Sequence, residues 1–166
     1  MRRVIGLFAV ATLLSGCGLR PLYAGGSKGV VAQSLAAVEV APIPQKAGWL
    51  VRNALVDRLA TAGSVTPRYR LEVELDDRIT GFGVRTDNAV TRERRILRAR
   101  YRLRDAGAAG TVLLDATAGS DAGIDVVSSE YATIAAEQTA LERLAKEVAD
   151  QIVARIALYA SRTAAR

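Results

Sequence analysis

Cys17 is the only cysteine of the 166-residue chain, and it closes the run Leu14-Ser15-Gly16-Cys17. A lone thiol has no disulfide partner, so another chemistry must account for it. The small side chains of Ser15 and Gly16 leave the bond before Cys17 open to a peptidase, and the thiol can take a diacylglycerol. Arg2 and Arg3 followed by the apolar Val4 to Leu14 form the basic start and hydrophobic core of a signal peptide. That core is shorter than the roughly 20 residues a helix needs to cross a bilayer, so it is expected to be removed. The pattern is a bacterial lipobox, with Leu14, Ser15 and Gly16 as peptidase-recognition residues and Cys17 as the lipid-attachment residue. Several acyl chains on one residue give durable membrane attachment where one chain is marginal. Gly18 stands where an Asp would favour retention at the inner membrane, which points to the outer membrane.

Other chemistry is sparse. The chain has no His, its one Cys is taken by lipid, and its 17 acidic residues are scattered. General bases and metal ligands are therefore lacking, and the expectation is a protein that is not an enzyme, with no catalytic residues, no metal and no cofactor. Asp76 and Asp77 are neighbours in an alternating run and would point to opposite faces of a strand, which prevents a shared catalytic site. The net charge is +6, and among 23 basic residues only Lys28, Lys46 and Lys146 are lysines. Arg presents a planar fork that meets phosphate or carboxylate through two hydrogen bonds, although a GC-rich genome gives the same bias. No nucleic-acid partner is expected.

The arginines concentrate in one place. Arg94, Arg98, Arg100, Arg102 and Arg104 share one face of an alternating run, where the acidic ladder Glu72, Glu74 and Asp76 of the preceding run is placed to neutralise them. Arg85, Arg92 and Arg95 lie nearer the intervening loop, with fewer acids at hand, and are the candidate anion-binding residues.

The elements that carry these residues follow from periodicity. After Cys17, residues 17–33 read as a lipidated leader and flexible tether, rich in Gly from Ala24 to Gly29. Leu35 to Ile43 suggests a first strand, ended by Pro42 and Pro44. Trp49 to Ala62 has Val51, Ala54, Leu55 and Leu59 at helical spacing, with Trp49 expected to anchor that helix to the sheet. Tyr69, Leu71, Val73 and Leu75 alternate with charged residues, as do Leu97, Ala99, Tyr101 and Leu103, and a third run continues through Val112, Leu114, Ala116 and Ala118. Asp77 to Thr91 reads as a long bend into which Ile79 and Phe82 extend the strand, and Ser120 to Ser129 as a loop. Tyr131 to about Tyr159 is a long helix with Leu141, Leu144, Val148, Ile152 and Ile156 on one face, capped by Ser128 or Ser129, with Tyr131 and Tyr159 at its core or rim.

Removal of residues 1–16 leaves about 150 residues, enough for one domain of two layers, here residues 34–161 with a frayed tail at 162–166. The expected fold class is α+β: a two-layer sandwich with two helices packed on one face of a mostly antiparallel sheet of about four strands. The other sheet face stays polar and free to meet water or a partner.

Several short motifs carry a resemblance over nearly the whole length. The lipobox with Gly18-Leu19-Arg20-Pro21-Leu22-Tyr23, then Gly83-Val84-Arg85-Thr86-Asp87 with Thr91-Arg92, Tyr101-Arg102-Leu103, and Ser129-Glu130-Tyr131-Ala132 resemble the lipopolysaccharide-assembly lipoproteins of the LptE family in their alphaproteobacterial form. The resemblance implies a lipid-anchored protein at the periplasmic leaflet of the outer membrane. Its domain would plug the lumen of the β-barrel LptD, support barrel assembly and help deliver lipopolysaccharide to the outer leaflet. It also implies two helices on a four-stranded sheet, in agreement with the periodicity. The family's basic lipopolysaccharide contacts lie around the loop joining the middle strands, where Arg85 falls, with Arg92 a weaker match. No contact is carried over onto the last helix, whose early part has no basic residue before Arg143. The alternative is an auxiliary periplasmic lipoprotein of an ABC-type lipid transporter, which also starts with a lipobox, an early strand and a helix.

Overall fold

The computed structural model describes residues 26–60, 65–84, 90–107 and 110–164. The lipobox residues Leu14, Ser15, Gly16 and Cys17 and the candidate Arg85 lie outside them. After a 3-10 turn at Gly26–Lys28, the elements run α1 (Val30–Ala36), β1 (Val38–Val40), α2 (Gln45–Leu59), β2 (Tyr69–Val84), β3 (Val90–Asp105), β4 (Val112–Asp125) and α3 (Glu130–Ala164). The sheet order is β1-β2-β3-β4, with β1 parallel to β2 and the other pairs antiparallel. The chain is thus an α+β protein with its helices on one side of a four-stranded mixed sheet.

Alternation decides which side that is. Leu71, Val73, Leu97, Ala99, Tyr101, Leu103, Ala118, Ala122 and Ile124 are buried, and the register sets Leu71 opposite Leu103, Val73 opposite Tyr101 and Ala99 opposite Ala118. Helices α2 and α3 close this face with Val51, Leu55, Leu144, Val148, Ile152 and Ile156, all essentially inaccessible to solvent. Small residues let α3 lie close: Ala145, Ala149 and Ala157 are buried along it. Ser129 caps α3, its Oγ accepting from the Ala132 N–H at 3.4 Å.

Entry into α2 is tight. Pro42 and Pro44 flank the buried Ile43, Gln45 adopts a left-handed φ of 67°, and Gly48 packs so closely that a Cβ there would sit 2.6 Å from the Ile43 carbonyl oxygen. Only glycine fits that approach.

The structure corrects several sequence expectations. The tether expected to reach residue 33 gives way to α1, which buries Val31, Ala32 and Leu35, and the first strand shortens to Val38–Val40. The expected loop at Ser120 to Ser129 is strand as far as Asp125, because Ala122 and Ile124 continue the inward alternation. The long bend shrinks as β2 runs to Val84 and β3 starts at Val90. The last helix reaches Ala164, into the segment expected to fray. Trp49 is 62% exposed: with Val51, Ala54, Leu55 and Leu59 facing inward, the helical period carries position 49 to the outer side. Tyr131 is also exposed, while Tyr159 is half-buried against the core.

Candidate functional site

The outward sheet face is a central column of arginines between two columns of acids. On β3 it carries Arg92, Arg94, Arg98, Arg100, Arg102 and Arg104; β2 contributes Glu72, Glu74 and Asp76, and β4 contributes Asp115, Asp121 and Asp125. Most of these charges are used internally. Arg104 Nε donates to Glu72 at 2.9 Å and Arg102 Nη2 to Glu74 at 2.9 Å, each one step diagonal from the residue directly opposite. Arg100 holds Asp115 through two bonds of 3.2 and 2.9 Å, Arg94 bonds Asp121 at 2.9 Å, and Arg92 bonds Asp125 at 3.0 Å. The hydrogen bond from Arg100 holds the Asp115 carboxyl below its ordinary pKa, an effect that outweighs the opposing desolvation. Neutralisation of the strand-centre arginines by β2 acids is therefore observed for Glu72 and Glu74, whereas Asp76 bonds Arg78 on its own strand. The acids of β4 neutralise Arg92, Arg94 and Arg100, which sequence alone did not reveal.

Arg98 stands apart. Among the described residues it makes no ion pair, although Asp76 lies opposite it on β2. On its other side the register places Gly119, which has no side chain to offer. Two surface depressions, of about 600 and about 300 Å³, meet at Arg98 and Gly119.

The two described candidates of the loop region, Arg92 and Arg95, do not come together. Arg92 lies on the outward face near the hairpin tip, 64% exposed in its pair with Asp125, and is accessible to an anion. Arg95, three residues on, points to the opposite face, beneath α3. Its Nε and Nη2 donate to Asp77 at 2.9 and 2.6 Å, its Nη1 donates to the Glu137 carbonyl at 3.0 Å, and its side chain is 12% exposed. The expectation that Arg95 offers a free cation to a ligand is corrected: its donors join β2, β3 and α3. Asp76 and Asp77 do point to opposite faces, as their adjacency required.

Beside Arg95, Glu93 also faces α3. Its Oε2 is buried without a hydrogen-bond partner, and burial, reinforced by the Glu137 carboxyl, pushes its pKa above the ordinary value. On the helical layer, Arg58 holds Asp150, with Nη2 at 3.0 Å from Oδ2, and lowers the pKa of that carboxyl. Among the described residues no group of three or more His, Cys, Asp or Glu is placed to hold a metal, and no helix is long and apolar enough to cross a membrane.

A family model described as LptE, lipopolysaccharide-assembly, matches residues 35–156. No curated protein sequence matches the chain. Among solved structures, a protein of Caulobacter crescentus CB15 described as a lipoprotein is 27% identical, with a TM-score of 0.67 over 81% of this chain and 98% of that one. A minor lipoprotein of Acinetobacter baumannii is 15% identical, with a TM-score of 0.61 over 74% of this chain and 92% of that one. Lipoprotein B of Nitrosomonas europaea is 16% identical, with a TM-score of 0.57 over 75% and 83%. The last two share the fold.

Proposed function

The chain belongs to the LptE lipopolysaccharide-assembly family, and from that premise we propose that it is a non-enzymatic lipoprotein of the outer membrane that plugs and supports assembly of an LptD-like β-barrel and helps deliver lipopolysaccharide to the outer leaflet. Lipid on Cys17 holds it at the periplasmic leaflet, after a signal peptidase has read Leu14, Ser15 and Gly16. The observation that carries the reading beyond family membership is the outward sheet face, whose arginines and acids neutralise one another in a lattice of ion pairs. Such a face is polar without a large net charge, and it suits the water-filled lumen of a barrel better than a hydrocarbon surface. Arg92, near the end of the β2–β3 hairpin, and Arg85, which lies in sequence between the two strands, are the proposed lipopolysaccharide contacts. Arg92 can release Asp125 to an incoming phosphate at small cost, because an exposed pair is worth at most about 1 kcal/mol.

The test is to crosslink the mature lipoprotein in its own membrane and identify what it holds. An LptD-like barrel is the expected product. An inner-membrane lipid transporter, or its soluble carrier, would replace this reading with that of a transporter auxiliary.

A further inference from the structure

We infer that Arg98, set against the side-chain-free floor of Gly119, is the seat for a carboxylate side chain of a protein partner. The inference rests on the partner-binding reading above. Around it, Arg92, Arg94, Arg100, Arg102 and Arg104 all engage acids of β2 or β4, so the lattice repeats along β3 and is interrupted at one place. The interruption has two causes. Asp76, directly opposite, is turned along its own strand to Arg78, with Nε to Oδ1 at 2.8 Å. On the other flank the outward positions of β4 between Asp115 and Asp121 are Thr117, opposite Arg100, and Gly119, opposite Arg98, and neither offers a carboxylate.

The gap is held open by its surroundings. Behind it, Gln151 of α3 binds both backbone groups of Gly119: Oε1 accepts from the N–H and Nε2 donates to the carbonyl, each at 3.1 Å. The strand is thereby fixed where the depression opens. Room for a side chain exists, since a Cβ at position 119 would meet the Arg98 Cγ and the Leu97 carbonyl oxygen at 3.4 Å and the Arg98 Cα at 3.7 Å, ordinary contacts. The missing group is chemically specified by the repeat: wherever β4 has an Asp outward, an arginine of β3 takes it. A partner that inserts Asp or Glu above Gly119 completes the lattice.

Charge selects carboxylate over phosphate. The two depressions are rimmed by Glu74, Asp76 and Asp121 and by Arg94, Arg98 and Arg100, of which Arg94 and Arg100 are already paired with Asp121 and Asp115. With the acids already matched to other arginines, one unengaged guanidinium accommodates one negative charge, and a phosphate dianion would meet repulsion from three carboxylates. Placement on an exposed sheet face beside the β4 edge suits approach by another polypeptide.

The test uses the full lipidated protein carrying an affinity tag, gently solubilised from its own membrane, with the retained barrel quantified. Arg98→Glu reverses the charge of the seat, and Gly119→Asp fills it from within by giving Arg98 an internal partner. Each is expected to reduce retention about tenfold or more, as loss of a charge-assisted interface bond does, with the melting temperature kept; Arg98→Lys should lose less. Should Arg98→Glu disturb folding, Arg98→Gln and Gly119→Asp decide the matter. Unchanged retention in folded variants overturns the inference. So does a loss of binding to lipopolysaccharide-containing vesicles with barrel retention intact, which would assign Arg98 to phosphate. If the wild type retains a different protein, the barrel reading falls while the same variants still judge the seat; if it retains none, both fall.

Discussion

Arg95 and Arg92 are three residues apart on one strand and have opposite fates. Arg92 has solvent around it, whereas Arg95 spends its nitrogens on Asp77 and the Glu137 carbonyl under α3. Removing Arg95 would leave Asp77, 19% exposed, without its counter-charge. Arg95→Met is expected to destabilise the fold by about 2–4 kcal/mol, and Arg92→Met by less than about 1 kcal/mol, as read by urea unfolding. Equal costs would show that Arg95 is as dispensable to the fold as a surface residue. Glu93 adds a pH dependence. Its folded pKa is raised, chiefly by burial, so its contribution is complete below the pKa of the unfolded chain and is lost as pH rises through the folded value. Glu93→Gln keeps the neutral shape at every pH. Thermal unfolding from about pH 4 to about pH 8 should therefore show the wild type losing stability relative to Glu93→Gln as pH rises; parallel curves would deny the burial of that carboxyl. The close approach at Gly48 gives a further test at this scale. Gly48→Ala forces a Cβ against the Ile43 carbonyl and should cost about 1–3 kcal/mol, although alanine ordinarily strengthens a helix.

Strand β4 shows how an element is finished by a neighbour. It lies at the sheet edge, where unpaired backbone groups invite another strand. Gln151 occupies Gly119 with the same donor and acceptor pair that another strand would bring. Gln151→Ala is expected to leave the fold intact, at a loss of about 1 kcal/mol, but to make the protein associate with rising concentration in sedimentation. A variant that sediments as the wild type does would remove that role from Gln151. The sequence disclosed β2, β3 and α3 because each holds one period for many residues, as Tyr69 to Leu75 and Leu141 to Ile156 do. It concealed the end of β4 because Gly119, Ser120, Asp121 and Gly123 have loop composition, while Ala118, Ala122 and Ile124 keep the alternation. Helix α1, seven residues long, is too short to display a helical period beside the glycines before it. The roles of Arg95 and Arg98 were hidden for a different reason. Asp77 is 18 residues from Arg95, and the glycine beside Arg98 belongs to the next strand, so only the register brings out a bond in one case and a vacancy in the other.

At the scale of the whole molecule, the proposed attachment to the membrane and the proposed attachment to the barrel are separate in the chain but would be coupled in effect. The proposed lipid sits on Cys17, and the sheet face proposed to meet the partner is built from β2, β3 and β4. A tethered domain meets a partner in the same membrane at an effective concentration set by the linker, without any added contact. Cys17→Ser, exported behind a cleavable signal peptide that does not depend on lipidation, should therefore keep its fold and its ion-pair lattice yet yield less assembled barrel, and raising its abundance should restore the yield by mass action. Arg98→Glu differs in kind, because it weakens the contact while the tether remains: membrane fractionation should find it anchored with poorly retained barrel, whereas Cys17→Ser should be released from the membrane. Retention of Cys17→Ser at the membrane in the absence of any barrel would mean that something other than the lipid holds the protein there. The lipobox would then no longer account for its location.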